Sequence, residues 1–401
     1  MPRTDVHRPV SRRAFLKGAL GGATLLALAP WRYAAADGTA RDLIVVSNNG
    51  DRSVTLIDPV SLEVLATLPL AGTFSFPATR WDATRDLIWS GFAESGSVDA
   101  FRLSSGERVA HVVTGSSQNY TELTPDGTAL LVSARFRDRL LKVGADPASD
   151  DFGKVLATLE QPHGSQPCDV TVDGAGHHAY LPDRGTDTLT TVDVASLTAL
   201  SRVKVAPVGG RGPVEPYMAT ASPAGNVLFV ENAVVQGASS TGSESIYDLG
   251  DPAQPKELAR LSRADGLGSM PLTSEITPDG RYGMVICRGS SEVSVVDIAA
   301  LKVVTSVRFP AGSNPVTGTF RYGEADPTLF VPLPGRDAVA AIAVPDFQIR
   351  RLIPVGPRPV GVVYLRAPLP DRPVAQVPLG TALADGRTFP ESCPDPCCGP
   401  V

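Results

Sequence analysis

The side chains able to do chemistry are few and widely spaced. Glu122 in YTELTPDG and Glu275 in TSEITPDG stand in matching segments, each three residues before a turn proline. Asp169 in CDVTVDG sits close to the corresponding place. Three carboxylates converging from separate strands could bind Ca²⁺ or Mg²⁺, which prefer oxygen ligands. They could also act as general acids or bases with raised pKa. The plainer reading is a water-filled polar channel, with ion pairs to Arg80 or Arg358. His163, near Gln166, Cys168 and Asp169, is either a base or metal ligand or an ordinary loop histidine. Glu122, Glu275 and His163 are thus the catalytic candidates, and Arg80, Asp169, Arg211 and Arg358 the ligand-binding ones.

A second group lies at the C-terminus. Cys393, Cys397 and Cys398 fall within ESCPDPCCGPV. Three thiols this close could hold a soft metal such as Cu(I) or Zn²⁺. They could instead form a Cys393–Cys397 or Cys393–Cys398 disulfide, or link to a partner chain. The chain has five cysteines, so one stays unpaired in any intramolecular scheme. The adjacent His177 and His178 make a poor shared metal site, because neighbours in extended chain point opposite ways. The segment GGRGP around Arg211 could hold an anion, but no helix follows to make it a phosphate loop. No C-x-x-C-H haem attachment motif occurs.

Charge narrows the partners. With 36 basic and 42 acidic side chains the net charge is −6, which gives no electrostatic footprint for nucleic acid. The N-terminus reads as an address. Arg12-Arg13-Ala14-Phe15-Leu16-Lys17 precedes a short apolar run and then Ala34-Ala35-Ala36. A basic segment, an apolar core and a small-residue site make an export signal, and the paired arginines point to the twin-arginine machinery. Residues 1–36 are expected to be removed outside the cytoplasm. The mature protein would then be periplasmic or extracellular, with no stable membrane span.

What positions the candidates is a repeat. The segment TSEITPDGRYGMVICRGSSEVSVVDIAALKVVTSVRF reads as four strands separated by tight turns. The same plan recurs at 43–70, 78–113, 119–159, 168–205, 216–262 and 317–355. The turn aspartates Asp58, Asp193 and Asp297 are each followed four residues later by a leucine, Leu62, Leu197 and Leu301. Each aspartate should accept hydrogen bonds from turn N–H groups, and each leucine should anchor the turn. Four-strand units of roughly 40–50 residues predict a β-propeller. The fold expected is all-β, with seven four-stranded antiparallel blades over 41–366 and a proline-rich tail over 367–401. The first unit lacks an inner strand, and RPVGVVYL supplies one. Residues 359–365 should therefore close the ring on the first blade.

The cassettes LIVVSNNGDRSVTLIDPVSLEVLATL and TPDGRYGMVICRGSSEVSVVDIAALKVV resemble those of the YVTN-type, lactonase-like seven-bladed propellers. The resemblance covers about residues 41–366. It implies a ring with a central channel and loops gathered at one mouth. Relatives include lactonases, a lyase, and propeller subunits of quinoprotein and haem enzymes, so no single activity transfers. The expected role is an exported binding or scaffold module whose mouth loops meet a protein or small-molecule ligand. One alternative is a lactonase- or lyase-like enzyme using the channel carboxylates, His163 and a divalent cation. The other is a metal-handling or accessory subunit of a periplasmic redox system.

Overall fold

The computed structural model describes residues 40–51, 53–69, 79–82, 87–92, 96–102, 108–116, 119–208, 214–232, 242–321, 327–344 and 346–368. The export segment, Arg211 and the three tail cysteines lie outside the described residues.

Turn chemistry cuts the chain into short strands. In the third blade Thr124 Oγ1 bonds Asp126 (2.6 Å) and takes a bond from Ala129 N. In the sixth, Thr277 Oγ1 bonds Asp279 (2.6 Å) and takes one from Tyr282 N. The anticipated aspartate turns form as well. Asp58 Oδ1 accepts from Val60 N and Ser61 N, Asp193 from Ser196 N, and Asp297 from Ala300 N. The leucines that follow have a further task. Leu62, Leu197 and Leu301 sit at φ 60°, 52° and 51°, a left-handed turn that non-glycine residues seldom adopt. Their side chains pack on the inter-blade cores, which offsets the strain.

Twenty-eight strands result among the described residues, in seven four-stranded antiparallel sheets. The first holds β1 (Ala40–Asn48), β2 (Ser53–Ile57) and β3 (Val64–Pro69). The second runs from β4 (Thr79–Asp82) through β5 (Leu87–Phe92) and β6 (Ser97–Arg102) to β7 (Arg108–Val113). The third holds β8 (Asn119–Leu123), β9 (Ala129–Ala134), β10 (Arg139–Gly144) and β11 (Val155–Glu160). The fourth holds β12 (Thr171–Val172), β13 (His178–Asp183), β14 (Thr188–Asp193) and β15 (Thr198–Lys204). The fifth holds β16 (Pro216–Ala221), β17 (Val227–Asn232), β18 (Ser243–Asp248) and β19 (Lys256–Leu261). The sixth holds β20 (Pro271–Ile276), β21 (Tyr282–Cys287), β22 (Glu292–Asp297) and β23 (Lys302–Arg308). The seventh holds β24 (Thr319–Phe320), β25 (Thr328–Leu333), β26 (Ala338–Ala343) and β27 (Ile349–Pro354).

The remaining strand, β28 (Pro359–Pro368), pairs with β1 as the innermost strand of the first blade. The ring is therefore closed by the two ends of the propeller, as the entry-strand pattern predicts, and the closing strand runs three residues longer than expected. Tyr364 OH donates to Asp42 across this seam (2.9 Å), and Arg321 of the seventh blade pairs with the same aspartate. The second and third strands of a blade are buried on both faces, as the unbroken burial of β9 and β26 shows. The outermost strands alternate, as in β15. The core is accordingly a set of apolar wedges between blades. Phe330 and Val339 of the seventh blade pack with Ile44 and Ile57 of the first, for example.

Ending the chain at Pro357 removes β28, the inner strand of the first blade. It is expected to abolish the single cooperative thermal transition, read by circular dichroism. An unchanged Tm would show that the ring closes without β28.

Candidate functional site

The inner strands of a propeller leave one backbone edge bare, facing the axis. Here side chains tie neighbouring blades together at this edge from blade four round to blade one. Asp169 Oδ2 accepts from Ala219 N, Thr220 Oγ1 donates to Ser274 O, Thr273 Oγ1 donates to Val316 O, and Tyr364 N donates to Thr319 Oγ1. Bonds of this kind satisfy backbone groups that would otherwise be costly to bury.

The two candidate glutamates belong to this belt. Glu122 pairs with Leu131 and Glu275 with Met284, the same register in each blade. Arg80, Thr171, Thr220, Thr319 and Val363 hold that level in the other five blades. Both glutamates are half-buried. Glu275 lies against the seventh blade, where a side chain at Gly318 would meet its Cγ at 3.2 Å. Asp169 sits two residues earlier along its strand than the glutamate level, and is buried. The side chain of Arg80 lies outside the described residues. Among the described residues no three His, Cys, Asp or Glu side chains come together to hold a metal.

One level higher, towards the loops, the axis is apolar. Tyr120, Cys168, Tyr217, Met218, Leu272 and Val316, from five different blades, form one buried cluster. The hydroxyls of Tyr120 and Tyr217 meet across it at 3.5 Å. Cys168 and, in the sixth blade, Cys287 are fully buried.

The loops above this floor share a device that the sequence reading overlooked. Five inner strands are opened or approached by a proline preceded by a left-handed residue: Gln166, Glu215, Met270, Asn314 and Arg358, with φ between 49° and 56°. Three of these are gripped by an aspartate that is itself left-handed. Asp138 accepts from Gly164 N and Gln166 N, Asp187 from Val214 N and Glu215 N, and Asp337 from Arg358 N. His163 belongs to the first of these loops. It is fully exposed, and its Nδ1 lies 3.6 Å from Asp138. Arg358 is exposed as well, with its carbonyl accepting from Asn49 N.

The rim carries arginines at one structural position. Arg135, Arg184 and Arg288 each follow the last residue of the second strand in the third, fourth and sixth blades, beside the start of an inner strand. Arg135 and Arg288 are buried. Arg184 forms an ion pair with Glu215 (2.8 Å), both nearly enclosed, and its guanidinium lies over the Tyr217 ring at 5.7 Å. The signal was present in the aligned segments SARFRDRL, PDRGTDTL and CRGSSEVS, where the arginine recurs just after the buried strand. Those stretches read only as turns.

A third repeated position caps the inter-blade wedges just before these arginines. Asn48 Nδ2 donates to Ser53 and Thr55, and Asn232 Nδ2 to Ser243 and Ser245. In the fourth blade the residue is Asp183, whose Oδ2 accepts from Thr188 and Thr190. Burial raises the Asp183 carboxyl to about 6, against the two hydroxyl bonds that favour its charge. A raised carboxyl binds its proton more tightly in the folded state. Its stabilising contribution is therefore complete below the ordinary carboxylate range and lost as the pH climbs through about 6. Asp183→Asn, the residue used in blades one and five, is expected to raise stability at pH 7–8 by on the order of 1–3 kcal/mol. It should also flatten the loss between about pH 4 and 6, measured by urea melts across pH. An Asn variant no more stable than the parent at pH 8 would refute this.

No protein-family model and no curated protein sequence matches the chain. Solved structures do. A protein from Lactobacillus plantarum has a TM-score of 0.65 at 16% identity, with 82% of this chain and 100% of that one covered. The periplasmic gluconolactonase PpgL of Pseudomonas aeruginosa has a TM-score of 0.64 at 16% identity, covering 81% and 99%. The dihydro-heme d1 dehydrogenase NirN, in complex with DHE, has a TM-score of 0.54 at 16% identity, covering 80% and 74%. At such identities the likeness is one of architecture: the chain is a seven-bladed propeller.

Proposed function

We propose that this protein is an exported binding propeller whose mouth receives a small carboxylate ligand. The supporting observation is the placement of Arg135, Arg184 and Arg288 at one register at the loop end of their blades, with Arg184, paired to Glu215, over the Tyr217 ring of the buried floor. Guanidinium groups match carboxylates bidentately and hold them best where water is sparse. The apolar floor would take the carbon skeleton, and the Tyr120 and Tyr217 hydroxyls would offer polar contacts. Export rests on Arg12-Arg13 and the apolar run that follows, with periplasmic or extracellular residence as the consequence.

A second reading uses the same mouth for lactone hydrolysis. The architectural likeness to a gluconolactonase favours it, and the product of that chemistry is itself a sugar carboxylate. Glu122 and Glu275 would be the acid–base candidates, since His163 faces solvent and lies beside Asp138.

Calorimetric titration with gluconate and related sugar acids separates the readings. Binding that falls at least tenfold in Arg288→Gln, with Tm unchanged, is the expected outcome. Sugar acids that bind the variant as well as the parent would sink the proposal. Hydrolysis of glucono-lactone above background, lost in Glu275→Gln, would establish the enzyme instead. Fractionation of cells carrying Arg12→Lys/Arg13→Lys checks the export route, with cytoplasmic retention expected.

A further inference from the structure

Blades five and six enclose two carboxylates that the mouth does not use. Glu231 on β17 and Glu244 on β18 are direct cross-strand partners. Both are 0% exposed. Val227 and Phe229 alternate with Glu231's neighbours, and Ile246 lies two residues from Glu244. These three pack with Ile276, Val285 and Cys287 of the sixth blade. Strand periodicity therefore points both glutamates into the interface between the two blades.

None of their four carboxylate oxygens has a hydrogen bond of good geometry, although the Ser274 hydroxyl and the Glu231 N–H lie close enough to favour the charge on Glu231. The sixth blade contributes that hydroxyl. Ser274, two residues before Ile276 on β20, faces the same interface and lies beside Glu231. Its hydroxyl is directed at Glu231 and makes no other hydrogen bond, in a residue only 3% exposed. The other charged groups acting on the pair are acidic: Asp169 on Glu231, and Glu231 on Glu244. Among the described residues no lysine or arginine acts on either.

Two facing carboxylates buried between blades, with one hydroxyl beside them and no cation among the described residues, are expensive to bury. A counter-charge between them removes the cost. Directly opposed residues have Cβ atoms about 4.5–5.5 Å apart, which lets both carboxylates reach one ion. Their two negative charges balance one divalent cation, and carboxylate plus hydroxyl oxygens select a hard ion over a soft one. We propose that Glu231, Glu244 and Ser274 bind a divalent hard cation, of the Ca²⁺ or Mg²⁺ class, between blades five and six. No third acidic, histidine or cysteine ligand joins them among the described residues. Backbone carbonyls or water complete the coordination.

The roof over this wedge is tight. A side chain at Gly242 would come within 2.5 Å of Pro271, so the loop entering β20 closes directly on the start of β18. An ion held here joins two neighbouring blades, and its binding energy adds to the stability of the ring.

The test compares the purified full chain in EDTA, in Ca²⁺ alone and in Mg²⁺ alone. It reads metal content after gel filtration and Tm. The expected result is about one equivalent of one of these ions retained, with a Tm several degrees above the EDTA sample. Glu231→Gln/Glu244→Gln should retain none and melt alike in all three buffers. Absence of any retained ion or Tm shift in the parent would overturn the proposal, and so would an ion that persists in the folded double variant. If the double variant fails to fold, Ser274→Ala decides. Metal affinity lowered at least several-fold supports the site, and unchanged affinity refutes it.

Discussion

A ring of separate sheets must satisfy the bare backbone edge that every blade turns to the axis. In this protein the remedy is lateral. A side chain from one inner strand bonds the backbone of the next, as Asp169 does with Ala219 and Thr220 with Ser274. The belt explains why polar residues recur at fixed levels of the channel without any catalytic need. Threonine serves in blades four, five and seven at the level where blades three and six carry Glu122 and Glu275. Those two acids, like Arg80 and Val363 in blades two and one, depart from that pattern. Their chemical interest rests on the extra reach and charge they bring to it.

Much of the architecture was legible because the physics of a blade is local. Turn aspartates, T-P-D-G corners and runs of buried β-formers each leave a mark within ten residues, and repetition amplified them. The missing inner strand of the first unit was legible for the same reason. The rim was harder to see. Arg135, Arg184 and Arg288 are conspicuous only when blades are superposed on the last residue of the second strand, and turn lengths there vary. The Asp138, Asp187 and Asp337 clasps were hidden for another cause. Each bonds a loop 26, 27 or 21 residues away, a separation with no sequence period. Glu231 and Glu244 were invisible because the chain between them is long and polar. Nothing in VENAVVQGASSTGSESI announces that two acids face each other across a sheet.

Loop geometry also changes how His163 is read. A histidine near Gln166, Cys168 and Asp169 suggests a constellation. The left-handed Gln166 and the Asp138 clasp instead turn the loop outward, while Cys168 and Asp169 turn inward beneath it. Sequence proximity across a turn that reverses direction is a poor guide to spatial proximity. Tyr120 and Tyr217, 97 residues apart, share the axis instead.

The seam between β1 and β28 also sets an order in time. β1 is among the first strands to leave the ribosome, and its inner neighbour is among the last. At about 5–20 residues per second, that delay is on the order of tens of seconds. Throughout it, β1 presents an unpaired hydrophobic edge, the kind that recruits foreign strands. That edge stays open until β28 emerges to cover it. A prematurely terminated chain never buries it, which makes the seam a natural mark by which quality control distinguishes finished molecules from fragments.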